Sequence, residues 1–323
     1  MDAPRARTLA ASLCLALLLI VARPSGQAPA GVGAVVPPPI PTPNAARDLR
    51  GAIDIHVHGN PDSVPRVGDG IELARQAAQR GMRGLVLKNH FDPTAGLAYL
   101  ARKAAPGLEV FGGVDLNLPV GGMNPHAVDY MAKMNGGYGR IVWMSTFDSE
   151  NGMRGRPGMP FVRVSGNGAL LPETVAVIAA IARHNFVLAS GHVSADEAMM
   201  MFREGKRAGV QHMVATHGMS TPTSLTLAQA KEATGLGVFV EFCGDNLALP
   251  TAQSRIDTFT EQIRGIGTQF AILSSDLGKA DAPLPTDGLA VFYEMLRKKG
   301  FTNEELDRMG KQNPATLLGL RYQ

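Results

Sequence analysis

The stretch Ala52-Ile53-Asp54-Ile55-His56-Val57-His58-Gly59-Asn60 decides how the chain is read. Ile53, Ile55 and Val57 alternate with Asp54, His56 and His58, and a period of two is that of a β-strand. The alternation predicts the aliphatic side chains on one face and Asp54, His56 and His58 on the other. Two imidazoles two residues apart at a strand end point the same way and can share one metal ion. Gly59-Asn60-Pro61-Asp62 follows as a turn. The histidine pair therefore lies at the carboxyl end of its strand, where parallel α/β proteins carry their chemistry.

Outward from this stretch, short apolar runs alternate with amphipathic ones. Eight strands are expected, at Ala52–His58, Gly84–His90, Glu109–Leu116, Arg140–Thr146, Phe186–His192, His212–His217, Val238–Phe242 and Phe270–Asp276. Helical patterns lie between them, at Gly70–Arg80, Gly96–Ala105, His126–Met134, Pro172–His184, Ala195–Ala208, Leu225–Thr234, Ala252–Arg264 and Asp287–Lys299. Gly81, Gly107, Gly136, Gly209 and Gly300 fall where these helices should end. Eight strand–helix units predict an α/β fold of the (β/α)8 TIM-barrel type over residues 51–323, with an open doubly wound sheet as the alternative. Thr302 and Glu305 have the spacing of a helix-starting capping box. Two connections, Asn117–Pro125 and Phe147–Leu171, are long, follow strands, and are placed on the catalytic face.

The first 30 residues differ from the rest. Arg5 and Arg7 precede an apolar run from Leu9 to Ala22, and Ala28-Pro29-Ala30 offers a small-x-small cleavage site. We read a cleavable signal peptide over residues 1–30, with cleavage near Ala30 and a periplasmic or secreted product. The apolar run is shorter than the roughly 20 residues a membrane span needs, so no stable membrane anchor is expected. Residues 31–50, with Val35-Val36-Pro37-Pro38-Pro39, read as a Pro-rich linker. Losing residues 1–30 removes three arginines and one aspartate and lowers the formal charge from +3 to +1. That balance gives nucleic-acid binding no electrostatic support and leaves a small molecule as the expected partner. Cys243 would be the one cysteine of the mature chain, a small buried residue in this reading, so no internal disulfide is expected.

Ionisable residues collect at the strand ends. The first strand ends at His56 and His58, the second at Lys88 and His90, the fifth at His192, the sixth at His217 and the eighth at Asp276. In a barrel all strand ends meet at one mouth. Crowded imidazoles and carboxylates there would be costly unless a divalent ion drew them together. Zinc accepts neutral imidazole and carboxylate, and a catalytic site keeps one position for water. Arg154, Arg156 and Arg163 in the second long loop could clamp an anionic substrate group. Glu241 could orient a ligand histidine or pair with an arginine.

The ordered set His56, His58, His192, His217 and Asp276, closed by Asn313-Pro314-Ala315-Thr316-Leu317-Leu318-Gly319-Leu320, resembles the amidohydrolase superfamily of metal-dependent hydrolases. The resemblance implies a (β/α)8 barrel with one or two metals, usually zinc. It implies that His56, His58 and Asp276 hold one ion, that His192 and His217 hold another, and that Asp276 also takes a proton from the attacking water. Members commonly bridge two ions with a lysine carbamate or glutamate from the fourth strand, and Arg140–Thr146 offers neither. A carbamate on Lys88 would supply such a bridge; alternatively Lys88 is unmodified and binds substrate or pairs with Asp115. His90 shares the face of Lys88 and is a further metal or substrate candidate. Lys88-Asn89-His90 and Gly113-Val114-Asp115 are also faintly similar to the polymerase-and-histidinol-phosphatase metallo-phosphoesterases. The function expected is hydrolysis of a lactone, amide or ester by metal-activated water. Its alternatives are a single-metal decarboxylase or lyase on the same fold, and a metallo-phosphoesterase. Oligomerisation is not readable from the chain.

Overall fold

The computed structural model describes residues 42–321 apart from 246 and 248–251. The leader reading for residues 1–30 and the start of the linker lie outside the described residues. The rest of that linker is folded: helix α1 (Ala45–Leu49) buries Leu49 and pairs Asp48 with Arg297 at 2.6 Å. The Pro-rich composition conceals one apolar anchor and one charge, the latter with its partner 249 residues away.

Eight parallel strands form one sheet: β1 (Ile53–Val57), β2 (Gly84–Leu87), β3 (Glu109–Asp115), β4 (Gly139–Trp143), β7 (Val187–Ala189), β8 (His212–Ala215), β9 (Val238–Cys243) and β10 (Ala271–Ser274). Their order follows the chain, interrupted by a small antiparallel hairpin, β5 (Ser165–Gly166) with β6 (Ala169–Leu170). The first and last strands meet beyond their ends. The Asp276 amide donates to the His56 carbonyl and the His58 amide to the Leu277 carbonyl, both at 2.9 Å. The fold is a (β/α)8 barrel, as the strand–helix alternation predicts.

The shell helices are α2 (Gly70–Gln79), α3 (Ala95–Ala104), α4 (Pro125–Ala132), α6 (Pro172–Arg183), α7 (Ala195–Ala208), α8 (Leu227–Gly235), α9 (Ala252–Ile266) and α10 (Pro285–Lys298). Each falls within three residues of its expected bounds. Helix α5 (Glu150–Met153) lies in the second long loop, and α11 (Asn303–Asp307) and α12 (Asn313–Leu317) close the chain. The Thr302–Glu305 capping box forms at the start of α11. No described helix is long and apolar enough to cross a membrane.

The core has two layers. Ile53, Ile55, Val86, Phe111, Ile141, Trp143, Val187, Val214 and Ile272 fill the barrel interior, and Ala315, Leu317 and Leu318 plug its amino-terminal end. A larger cluster lies between strands and helices and includes Val57, Leu73, Leu85 and Leu87.

These layers correct the strict alternation expected for β1. Ile53 and Ile55 face the barrel interior, whereas Val57 faces the helices, and Asp54 lines a small pocket with Val57, Leu73 and Met82. Asp54 is therefore not on the face of the histidines. Between Asp54 and Val57 the register with β2 slips: three steps on β1 match two on its partner. This is a β-bulge, one extra residue that re-aims the side chains beyond it. Below the bulge the aliphatics point inward; above it His56 and His58 do. The Asp54 carboxylate secures the bulge by accepting from the His56 and Ser275 amides, each at 3.1 Å. Burial pushes Asp54 up to about 6.

Candidate metal centre

His56 lies within β1, and the other candidate residues, His58, Lys88, His90, His192, His217 and Asp276, sit in the first few positions beyond their strands. His217 and Asp276 both adopt left-handed backbone, with φ of 52° and 51°. His and Asp enter that region more readily than most side chains, at a cost on the order of 1 kcal/mol. Hydrogen bonds hold both in place: the Asp276 amide donates to the His56 carbonyl, and the His217 amide donates to Glu241 Oε2 at 3.3 Å. Gly278 must be glycine, because its φ is 128° and a Cβ would lie 1.9 Å from the His58 carbonyl oxygen.

At the mouth the side chains converge. Asp276 Oδ1 is 3.0 Å from His56 Nε2 and 3.1 Å from His58 Nε2, and Asp276 Oδ2 is 3.7 Å from His217 Nε2. Ring centroids are 5.1 Å apart for His56–His58, 5.4 Å for His56–His217 and 5.2 Å for His192–His217. His90 lies 5.0 Å from His58 and 5.9 Å from His192. The sequence-predicted histidines and Asp276 are thus brought together. His192 Nε2 is buried with no hydrogen-bond partner, and His56 Nε2 is buried against the Asp276 carboxylate. An unpartnered imidazole nitrogen, among further imidazoles and a carboxylate, suits a divalent cation of the zinc type.

Charge follows from this packing. Burial works against a charged His56, but the Asp276 and Glu241 carboxylates outweigh it and push the ring up to about 10. Burial holds His58, His192 and His217 below the ordinary histidine range. Asp276 is buried too, yet the His56 charge and the His56 and His58 hydrogen bonds keep its carboxyl well below the usual carboxylate range.

The flanking partners fix which ring nitrogen faces the centre. Glu241 Oε1 accepts from His56 Nδ1 at 3.1 Å and from Ser274 Oγ at 2.7 Å. Of the two roles the sequence left open for Glu241, orienting a histidine is the one found. His56 Nε2 is thereby turned to the centre. Glu241→Gln is expected to weaken metal affinity by roughly 10–100-fold, read by competition with a chromogenic chelator; unchanged affinity would remove Glu241 from this role. At His58 the partner is opposite in kind. Arg66 Nη2 donates to His58 Nδ1 at 3.2 Å and is itself held by Asp62. A guanidinium has only donors, so the neutral ring carries its hydrogen on Nε2 and presents it to Asp276.

Lys88 is fully buried, 3.1 Å from Asp115 Oδ2 and over the Trp143 ring. The ion pair, one of the alternatives open for Lys88, is the arrangement found. Asp115 Oδ2 also accepts from Thr146 Oγ1 at 2.9 Å, and His90 Nδ1 lies 3.0 Å from that hydroxyl. Asn117 binds the His90 carbonyl and the Thr146 amide, tying the first long loop to the ends of β2 and β4. Phe147 stacks on His90 at 3.5 Å and remains 40% exposed, so it roofs this side of the mouth.

The three arginines of the second long loop stand apart from the histidine–aspartate mouth in their contacts. Arg154, Arg156 and Arg163 are exposed, and Arg163 is spent on Glu150 through two hydrogen bonds. The loop folds on itself through α5 and the β5–β6 hairpin, while Ser149 and Asn151 tie it to the His192 carbonyl. The guanidinium at the centre is Arg66. It sits in Ser63-Val64-Pro65-Arg66, a turn with no periodic signal. Cys243, read as a small buried residue, is buried and contributes its sulfur to a group with His56, His217 and Asp276 whose ligand atoms all lie within 4.8 Å of one another.

This barrel and the histidine–aspartate mouth define a class before a family. An amidohydrolase from Pseudomonas aeruginosa has a TM-score of 0.59 at 12% identity, over 86% of this chain and 98% of that one. The phosphotriesterase homology protein from Escherichia coli, complexed with phosphate, has 0.58 at 13%, over 84% and 99%. Organophosphorus hydrolase from Deinococcus radiodurans has 0.55 at 17%, over 85% and 94%. The chain shares the amidohydrolase fold with them. A polymerase-and-histidinol-phosphatase relationship is not shown by these comparisons. No curated protein matches the sequence. The chain belongs to the family of unknown function DUF6282, which matches residues 51–241.

Proposed function

We propose that the protein is a metal-dependent hydrolase that cleaves a lactone, amide or carboxylic ester. The observation that carries this reading is the convergence of His56, His192, His217 and Asp276 at the carboxyl mouth of the barrel, with the buried His192 Nε2 left unpartnered. His56 and His217 are the residues best disposed to hold a divalent ion, probed here as zinc, with His192 beside them. When bound, such an ion polarises the substrate oxygen and acidifies a water. Asp276 takes the proton of the attacking water and returns it to the leaving group. His58 holds Asp276 Oδ1 in position, Arg66 holds His58, and Glu241 holds His56. Phe147 and His90 keep solvent from one flank.

The test joins metal content to turnover. Purified protein is expected to carry at least one divalent ion per chain, and chelation should abolish hydrolysis of activated esters and lactones until metal is restored. Because His56 is charged near neutrality and a ligand must be neutral, uptake expels a proton. Affinity for Zn2+ should therefore rise by no less than about tenfold per pH unit from roughly pH 6 to 8 and keep rising towards the His56 value of about 10. Metal-free protein with full activity would overturn the reading.

The Lys88–Asp115 pair favours a second reading, a single-ion decarboxylase or lyase, because an ammonium beside a carboxylate is not a bridging anion. Release of CO2 from aromatic or unsaturated acids, with no ester hydrolysis, would favour it. We also propose that the chain is exported. The Arg5–Arg7 start, the apolar run and Ala28-Pro29-Ala30 support this, and amino-terminal sequencing of the exported fraction tests it.

A further inference from the structure

The donor set at the mouth is not the one its histidines suggest, because His58 and Cys243 exchange expected roles. His58 Nδ1 accepts from Arg66, and a ring in that state offers Nε2–H and no lone pair to a cation. Its hydrogen is directed at Asp276 Oδ1. The Cys243 sulfur is 3.6 Å from Ser274 Oγ. The Ser274 hydroxyl donates to Glu241, so the thiol is the donor in this contact and its sulfur lone pairs are free. Cys243 is buried. His56 Nε2, in the same group, is buried 3.0 Å from Asp276 Oδ1 and held towards the centre by Glu241.

We infer that His56, His217 and Cys243 are the three protein ligands of one zinc-type ion, with the Cys243 thiolate taking the place that spacing alone gives to His58. This inference rests on the metal-dependent reading above and deepens it. The donors come from β1, the end of β9 and the turn after β8. The group's ligand atoms, at most 4.8 Å apart, need to draw in by about an ångström to reach the roughly 3.3–3.8 Å spacing around a tetrahedral ion. A catalytic zinc site keeps three protein ligands and one position for water. Two histidines and a thiolate meet that count and leave Asp276 for the proton. A sulfur ligand also narrows the metal: thiolate selects zinc, cobalt or iron over magnesium and calcium. On binding, the thiol loses its proton to solvent as the sulfur–metal bond forms.

Cobalt substitution tests this on the full chain. The metal-free protein titrated with Co2+ should develop visible ligand-field absorption and a near-ultraviolet sulfur-to-cobalt charge-transfer band. Cys14→Ser should keep both. Cys243→Ser should lose the near-ultraviolet band and bind Co2+ at least about tenfold more weakly. Visible absorption without the sulfur band in the wild-type protein would overturn thiolate ligation and leave the metal-dependent reading standing. No Co2+ binding at all would overturn both. If Cys243→Ser does not fold, the wild-type spectrum against Cys14→Ser still decides, because loss of the band in Cys14→Ser would assign it to the wrong sulfur.

Discussion

Asp276→Asn is expected to lower kcat by about 10²–10⁴-fold, the range a positioned acid–base group supplies, while the protein keeps its fold and most of its bound metal. Asparagine preserves volume and can still accept from His58 Nε2, but it takes no proton from water. The backbone at Asp276 is left-handed, with φ of 51°, a conformation asparagine also tolerates, so the substitution adds no new strain. The measurement is kcat on whichever ester or lactone proves the best substrate, with metal content determined on the same preparation. Full activity in Asp276→Asn would sink the proposed proton transfer. Loss of metal in parallel with activity would make Asp276 a ligand instead.

The second large effect lies beneath the site. Lys88→Met is expected to destabilise the fold by about 3–5 kcal/mol, because it strands the Asp115 carboxylate without its cation in the barrel. In melting temperature the loss is on the order of 10 °C. Lys88 is 0% exposed and Asp115 2%, so water cannot take the place of the missing partner. The double variant Lys88→Met with Asp115→Asn removes both charges and keeps an acceptor for the Thr146 hydroxyl. It should recover most of the loss. A carbamate on Lys88 would set a second anion against Asp115, so the intact protein in bicarbonate should show no increment of about 44 Da. A Lys88→Met protein as stable as the wild type, or that mass increment, would refute the ion-pair role.

Much of this was legible in the chain. The eight strands stood out because parallel strands buried on both faces are short apolar runs between helical patterns. His192, His217 and Asp276 were legible because each follows such a run directly. What was not legible needed three dimensions. The Lys88–Asp115 pair depends on β2 lying beside β3. Arg66 has no periodic signal, and only the fold brings its turn against His58. The loop arginines matched an anion by chemistry, but Glu150, 13 residues from Arg163 in sequence, claims that guanidinium first. Cys243 reads as an ordinary core residue until β9 is seen to end beside His56.

The bulge in β1 has a consequence for how this strand can vary. Below it the strand answers to hydrophobic packing; above it, to ligand geometry. The single extra residue is the phase shifter that lets both demands share five residues. Point substitutions at Ile53 or Ile55 would disturb only the barrel floor. Deleting Ile55 would match two steps on each strand and abolish the bulge: His58 would keep its inward face, and His56 would drop into the place that Ile55 holds in the barrel floor. The barrel would survive with one imidazole withdrawn from its mouth. The strand is thus tolerant in composition and rigid in length, like a key whose teeth can be recut but whose shank cannot be shortened.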